Sequence, residues 1–270
     1  MSYKIENRNI LITGGADGLG KSLIEELIKK NCTITCVDRD EEKLNILDHK
    51  NIKKILCNLS NLNETSDLLK KLEGEKYDIL INNAGYEVGS MLVELPVKDF
   101  IDNFNCNFFS PVILTKEFIK KFSNKNSRTK IINMSSDTAY RAVPTRSSYC
   151  ASKASLHNFT EAMRVELKVY NIDCVTVTPP KINTNFFKKI KYFGYLDKEK
   201  IPYSDSRPFY STNKFAKQVI TGIENNKSHI RVFSITKIFL LINYFFPLIC
   251  DFMVEKLSTW KKIKKNYLRY

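Results

Sequence analysis

The sequence predicts a single-domain α/β fold: a doubly wound, mostly parallel sheet with helices on both faces, followed by a helical extension at the C-terminus. Three observations lead there. Short β-branched runs alternate with longer helical patterns, at a spacing that calls for parallel strands joined by right-handed crossovers. The strand runs are apolar with little alternation, as expected of strands covered on both faces. The length, 270 residues, suits one large domain, and no internal repeat longer than the strand–helix unit is visible.

Taken in order, Asn9-Ile10-Leu11-Ile12-Thr13 is the first strand, and a glycine-rich turn leads from it into a helix over 18–30. Strands follow at 32–37 and 52–57, with a helix over 62–72 behind the second of them. The fourth strand, Ile79-Leu80-Ile81, precedes a long helix over 99–122. Lys130 to Met134 is the fifth strand, 148–170 a helix, and Cys174-Val175-Thr176-Val177 the sixth strand. Between 179 and 213 the pattern loosens into proline, lysine and aromatic residues, and a loop of that length is usually functional. A seventh strand falls at 229–233, which divides the chain into a body over 1–234 and an apolar, basic extension over 235–270.

Composition excludes several classes. With 43% hydrophobic and 27% charged residues, 9 Gly and 8 Pro, the chain is neither collagen-like nor disordered. No apolar run reaches the ~18–20 residues a membrane-spanning helix needs, and the polar start, Met1 to Asn9, leaves no room for a signal peptide. Seven cysteines, scattered singly without a CxxC pair, suit reduced thiols in the cytoplasm. His49, His157 and His229 show no metal-ligand spacing, so no metal is expected. The net charge of +14 is spread from Lys4 to Lys265 and reads as solvated faces, with no nucleic-acid-binding motif.

Chemistry begins at Thr13-Gly14-Gly15-Ala16-Asp17-Gly18-Leu19-Gly20. Placed between a first strand and a first helix, these glycines allow a tight turn and bring backbone close to a pyrophosphate, whose charge then meets a helix N-terminus. Asp38 stands eighteen residues after Gly20, near the spacing of an acid that binds an adenosine ribose and repels a 2′-phosphate. Together with Asp17 it points to NAD. Arg39 keeps NADP open as the alternative. Tyr149-Cys150-Ala151-Ser152-Lys153 puts a phenol and an ammonium on one helix face. A positive charge at ~4 Å is worth about 4 kcal/mol at an effective dielectric of ~20. On that basis Lys153 is expected to lower the pKa of Tyr149 and make it a general acid/base.

These motifs resemble the short-chain dehydrogenase/reductase family, with its Thr-Gly-x-x-x-Gly-x-Gly and Tyr-x-x-x-Lys signatures. The resemblance extends through about 185 residues and implies a Rossmann-type domain binding a nicotinamide dinucleotide. It implies cofactor contacts from Asn58 and Leu59, where relatives carry Asp-x-Ser/Thr, and from Asn83, Ala84 and Gly85 of Asn-Asn-Ala-Gly. Ser136 matches the substrate-orienting serine, with Ser135 its neighbouring alternative. Asn107 matches the proton-relay residue, where a helical distortion is expected, and Asn105 competes for that role. Pro179, Ile182 and Thr184 match the segment that flanks the nicotinamide, although Pro180 stands where the family usually has glycine. Lys153 is also expected to grip the nicotinamide ribose.

The implied reaction interconverts an alcohol and its ketone or aldehyde on a small-molecule substrate. Phe186, Phe187, Tyr192, Phe193 and Tyr195 lie in the segment that forms the family's substrate lid, about 184–213. They read either as the wall of an apolar substrate pocket or as pins holding a loop to the core. The apolar run from Ile238 to Cys250 and the basic stretch after it resemble extensions of relatives acting on lipophilic substrates. That tail suits peripheral contact with an anionic lipid surface, closure of the cleft, or an oligomer interface. Other expectations are a homodimer or homotetramer, with a 3-oxoacyl thioester reductase and a dinucleotide-binding sensor without turnover as alternative functions.

Overall fold

The computed structural model describes residues 2–182, 184–198, 209–232, 242–257 and 260–267. The proposed boundary at 234/235, the lid's central part (199–208) and the start of the apolar run in the tail lie outside them. Seven strands form the main sheet: β1 (Asn9–Thr13), β2 (Thr33–Asp38), β3 (Ile52–Leu56), β4 (Ile79–Asn82), β6 (Thr129–Met134), β7 (Ile172–Thr178) and β9 (His229–Arg231). Their order is β3-β2-β1-β4-β6-β7-β9, and every pairing is parallel. The sheet therefore reverses its winding between β1 and β4, the place where an open α/β sheet leaves a crevice at its carboxyl ends.

Successive strand residues point to opposite faces, and both faces are covered. Ile10, Ile12, Ile79 and Ile81 join one core cluster, with Leu23, Leu27 and Phe215 of α1 (Gly18–Ile28) and α8 (Thr212–Glu224). Leu11, Leu80 and Ile131 join the other, with Leu68 of α3 (Leu62–Lys71) and Leu114 and Phe118 of the long central helix. Burial on both sides explains the unbroken apolar strand runs.

The long helix expected over 99–122 is present but not uniform. It comprises α4 (Val97–Phe104), a π-helical turn at Asn105–Phe109, α5 (Ser110–Glu117) and a second π turn at Phe118–Phe122. The next helix, α6 (Ser147–Glu166), ends through a 3-10 turn at Asn171, which adopts φ +56°, a left-handed conformation asparagine tolerates. Helix α8, which falls in a stretch given no element between 213 and 229, was not expected, nor were three short pieces. Helix α2 (Glu41–Ile46) is capped by Asp40, which accepts from the Lys43 amide at 3.2 Å, and buries only Leu44. Strands β5 (Val88–Gly89) and β8 (Lys191–Tyr192) pair with each other, tying the segment after Asn-Asn-Ala-Gly to the lid. Elements this short carry no readable period.

In the tail, α9 (Pro247–Leu257) is followed by α10 (Trp260–Tyr267). Ile263 of α10 is buried with Tyr195 and Leu196 of α7 (Tyr195–Lys198). No helix of the described residues is long and apolar enough to cross a membrane.

Candidate active site

A cleft of about 300 Å³ runs along the carboxyl ends of the sheet. Its floor begins at the turn after β1. Gly14 and Gly18 both take positive φ, +65° and +54°, and the Asp17 side chain caps α1 by accepting from the Gly18 amide at 2.8 Å. Glycine is required here by space as well as by conformation. A Cβ on Gly20 would stand 2.0 Å from the Gly14 carbonyl oxygen, and one on Gly14 2.7 Å from the Ala84 Cα. The turn after β4 is fastened to this one. Asn83 Nδ2 donates to the Thr13 and Gly14 carbonyls at 3.0 and 2.7 Å, while Thr13 Oγ1 accepts from the Asn83 and Ala84 amides.

Asp38 ends β2 at the rim of this cradle, its two oxygens accepting from the Ala16 and Asp40 amides at 3.0 and 3.1 Å. Arg39 lies over the Tyr86 ring, 5.1 Å from its centroid. Asp17 is already engaged by Lys43 and, at 3.0 Å, by Lys189 of the lid. Partial burial works against the Asp17 carboxylate, but hydrogen bonds from Lys43, Lys189 and the Gly18 amide prevail and hold its pKa near about 2. Asn58, Leu59, Gly85, Pro179, Ile182 and Thr184 line the cleft, as do all the other dinucleotide-contacting residues expected from the sequence.

Tyr149, Lys153 and Ser136 meet at the far end. Helix α6 presents Tyr149 and Lys153 one turn apart, and both are buried. Lys153 Nζ donates to the Met134 carbonyl at 2.8 Å and lies 5.9 Å from the Tyr149 ring centroid. Ser136 opens a 3-10 turn, accepting from the Thr138 amide at 3.2 Å, and hydrogen-bonds Tyr149. Ser135 also borders the cleft, but its amide donates to the Val177 carbonyl at 2.8 Å and its hydroxyl to the Lys153 carbonyl at 3.4 Å. The geometry thus separates the two serines.

Asn107 lies on the π turn, fully buried just behind the cleft. Its Oδ1 accepts from the Tyr86 amide at 3.1 Å, and its Nδ2 donates to the Tyr86 carbonyl and to Ser152 Oγ, both at 3.0 Å. A Cβ on Gly85 would lie 3.0 Å from Asn107 Oδ1 and 3.1 Å from Lys153 Nζ, so the bare glycine keeps open a small space that both groups face. Asn105 turns away to the Ser60 carbonyl at 3.0 Å. Single-turn π segments are common at functional sites because they re-aim a side chain.

One expectation fails. Burial raises the pKa of Tyr149, the nearby Glu87 carboxylate raises it further, and the hydrogen bond from Ser136 lowers it without offsetting burial. Desolvation of the phenolate outweighs any attraction to a lysine whose ammonium is turned to a backbone carbonyl. Desolvation acts on Lys153 too, lowering its pKa to about 8. Sequence reasoning also missed Glu87 and Arg146. Glu87 lines the cleft almost wholly buried, paired with Arg146 at 2.7 Å, and burial lifts its pKa to about 7 against the pull of that guanidinium. Nothing local in Tyr86-Glu87-Val88 signals that burial.

The aromatic residues of the lid divide between the two roles left open by the sequence. Phe186 and Phe187 line the cleft, Phe186 with its ring 5.9 Å from Tyr149. Tyr195 is buried instead against Tyr267 of the tail, the ring centroids 5.4 Å apart.

Comparison with known proteins agrees with this geometry. The family model for short chain dehydrogenases matches residues 8–192. A 3-ketodihydrosphingosine reductase of Dictyostelium discoideum is 28% identical over 84% of this chain and 75% of its own length. A 3-oxoacyl-[acyl-carrier-protein] reductase of Rickettsia bellii is 31% identical over 69% of this chain and 77% of its own. Among solved structures, a short chain dehydrogenase of Burkholderia cenocepacia in complex with NADP superposes with a TM-score of 0.75 at 20% identity, covering 95% of this chain and 100% of that one.

Proposed function

The chain belongs to the short-chain dehydrogenase family of oxidoreductases, and on that premise we propose that it is an NAD(H)-preferring enzyme interconverting a lipophilic ketone or aldehyde and the corresponding alcohol. The observation that carries this reading is the convergence of Ser136, Tyr149 and Lys153 at the end of the cleft, with Asn107 directly behind.

The cradle fits a dinucleotide. Bare Gly14 and Gly20 let the turns after β1 and β4 close against each other, and Gly18 opens α1 at the cleft, so a pyrophosphate can approach the helix N-terminus. Gly14, Gly18, Leu19 and Gly20 would hold the pyrophosphate, Asp38 and Arg39 the adenosine ribose, and Asn58 and Leu59 the adenine. Asn83, Ala84, Gly85, Tyr149, Lys153, Pro179, Ile182 and Thr184 would hold the nicotinamide half. The bound dinucleotide supplies or accepts the hydride.

The chain's own residues manage the proton. Ser136 Oγ orients the reacting oxygen and stabilises charge developing on it, and Tyr149 Oη holds the proton exchanged with it. Lys153, with its pKa near about 8, restores that proton at neutral pH. The space beside Gly85, faced by Asn107 Oδ1, extends the route inward. Preference for NAD rests on Asp38, since Asp17 is already neutralised by Lys43 and Lys189.

The lipophilic substrate is supported by Phe186 and Phe187 in the cleft wall and by the greater share of this chain matched by the ketosphingoid reductase. The identity to 3-oxoacyl reductases favours a thioester as the second reading. The tail adds peripheral lipid contact to the first reading, because Tyr244, Phe245, Phe246, Leu248, Ile249 and Phe252 are all more than half exposed. The test is turnover of long-chain ketones against acyl thioesters, with NADH and NADPH compared. Tyr149→Phe is expected to reduce kcat by about 10²–10⁴-fold with little change in dinucleotide affinity. Equal rates for wild type and variant would sink the proposal, and faster thioester turnover would select the second reading.

A further inference from the structure

Two of the chain's three histidines, far apart in sequence, come together outside the set of residues that line the cleft. His157 lies on α6, four residues beyond Lys153, and Glu161 follows one turn later on the same face. His229 begins β9, at the edge of the sheet. Glu161 Oε1 is 3.6 Å from His157 Nε2 and 3.5 Å from His229 Nε2, and the three donor atoms all fall within 4.8 Å of one another.

These separations are informative. Bonds of about 2.0–2.2 Å in a tetrahedron place the ligand atoms of a zinc ion about 3.3–3.6 Å apart. Two edges of the triangle already meet that figure closely. The third, between the two imidazoles, closes by a rotation of the His229 ring, which is partly open to solvent.

His157 is only 7% exposed, and neither ring nitrogen makes a hydrogen bond among the described residues: Nδ1, which points away from the cluster, has no partner, and Nε2, which faces it, stops at 3.6 Å from Glu161. Buried polar groups normally find partners. Around this imidazole are the Tyr140 ring, with its centroid 4.6 Å away, and the His229 ring at 6.1 Å. Neither contact satisfies a ring nitrogen.

Two arginines are also near: the charge of Arg231 opposes positive charge on both imidazoles, as does that of Arg164. Arg164 Nη2 lies 3.2 Å from His229 Nε2 and donates to Thr176 Oγ1 at 3.1 Å, while its Nη1 lies 3.9 Å from Glu161. A guanidinium has only donors, so His229 Nε2 accepts from Arg164, and a metal ion must displace that hydrogen bond to use the same lone pair. The pocket between two imidazoles and a carboxylate thus already attracts positive charge, and Arg164 partly supplies it.

We propose that His157, Glu161 and His229 form a binding site for a divalent transition-metal ion of the zinc class, which clamps the helix carrying Tyr149 and Lys153 to the edge strand β9. Two imidazoles and one carboxylate suit zinc and its first-row neighbours rather than calcium or magnesium, which prefer all-oxygen sites. Solvent or Arg164's displaced position leaves the fourth coordination place to water. The clamp is independent of the redox reaction, and its failure leaves the proposed function untouched.

The test is titration of the tag-free, chelator-treated full chain with Zn²⁺ by calorimetry and with Co²⁺ by visible absorption. The expected result is one ion per chain, Co²⁺ bands of tetrahedral intensity, and a higher melting temperature with Zn²⁺. His157→Ala and His229→Ala are each expected to weaken binding about tenfold or more. Glu161→Gln, at an exposed position that folding tolerates, is expected to do the same. Arg164→Gln removes the nearer of two competing cations, the one hydrogen-bonded to His229, and is expected to tighten binding severalfold. The proposal is overturned if neither wild type nor Arg164→Gln binds, or if Glu161→Gln and His229→Ala bind as wild type does.

Discussion

Burying the Lys153 ammonium against a single carbonyl costs stability, and the cost is visible in its pKa, lowered from 10.5 to about 8. A group whose folded pKa is depressed binds fewer protons when folded. Its contribution is whole above about 10.5 and is lost as pH falls through about 8, so at pH 7 the wild type carries the full penalty. Lys153→Met removes the charge but leaves the Met134 carbonyl without its partner, a loss of about 1–3 kcal/mol. The expected net effect is a gain of about 1–2 kcal/mol at pH 7, shrinking as the pH approaches 10, with activity abolished. Denaturant melts at pH 7 and pH 10 check both sign and trend. Reduction is also expected to slow as pH rises through about 8, because Lys153 then lacks the proton that replenishes Tyr149. A profile flat to pH 9 would remove Lys153 from the relay.

At the scale of elements, the strand–turn–helix unit beginning the chain depends on absent side chains. The Cβ of Gly20→Ala would meet the Gly14 carbonyl at 2.0 Å, a backbone atom that cannot step aside cheaply. That substitution is expected to cost about 1–3 kcal/mol in stability, the range for overpacking, and to eliminate dinucleotide binding. Thermal melts and NADH fluorescence titration measure the two effects separately. Much of this unit was legible, because Thr13-Gly14-Gly15 through Gly20 and the Tyr149/Lys153 pair are local patterns in which spacing alone sets geometry. The π turn was expected only as a distortion at Asn107. Its consequence, an amide bonded to both backbone groups of Tyr86, depends on a segment 21 residues away in sequence. Elements α2, β5 and β8 were not legible for a different reason. They are too short to bury a periodic stripe, and each exists through a single cap or a tertiary pairing.

For the whole molecule, the helices that present Asn107 and Tyr149 leave apolar side chains in solvent. Phe109 is 44% exposed on the central helix, and Val165 and Val169 are 69% and 81% exposed at the end of α6 and just beyond it. Exposed apolar surface of this kind marks association, and closed symmetric assembly of identical copies is the common outcome. The expected state is a homodimer or homotetramer using these helices. Sedimentation equilibrium is expected to show Val165→Glu together with Phe109→Glu shifting the protein toward monomer, and a wild-type monomer at micromolar concentration would refute this arrangement. The tail contributes differently, with Arg141 beside the cleft-forming loop paired to Asp251 of α9 at 2.6 Å.

By itself, the sequence determined the sheet, its parallel winding, the glycine cradle and the placing of Tyr149 and Lys153 on one helix face, because periodicity and local spacing are properties of neighbours along the chain. The tertiary structure alone separated Ser136 from Ser135 and Asn107 from Asn105. It divided the lid aromatics between cleft and tail, paired Asp17 with Lys43 and Lys189, and buried Glu87 beside Tyr149. It also reversed the expected electrostatics of Tyr149, since desolvation depends on everything packed around a group and no spacing between two residues encodes it. The meeting of His157 and His229 belongs with these, a contact made only when α6 lies across the sheet beside β9.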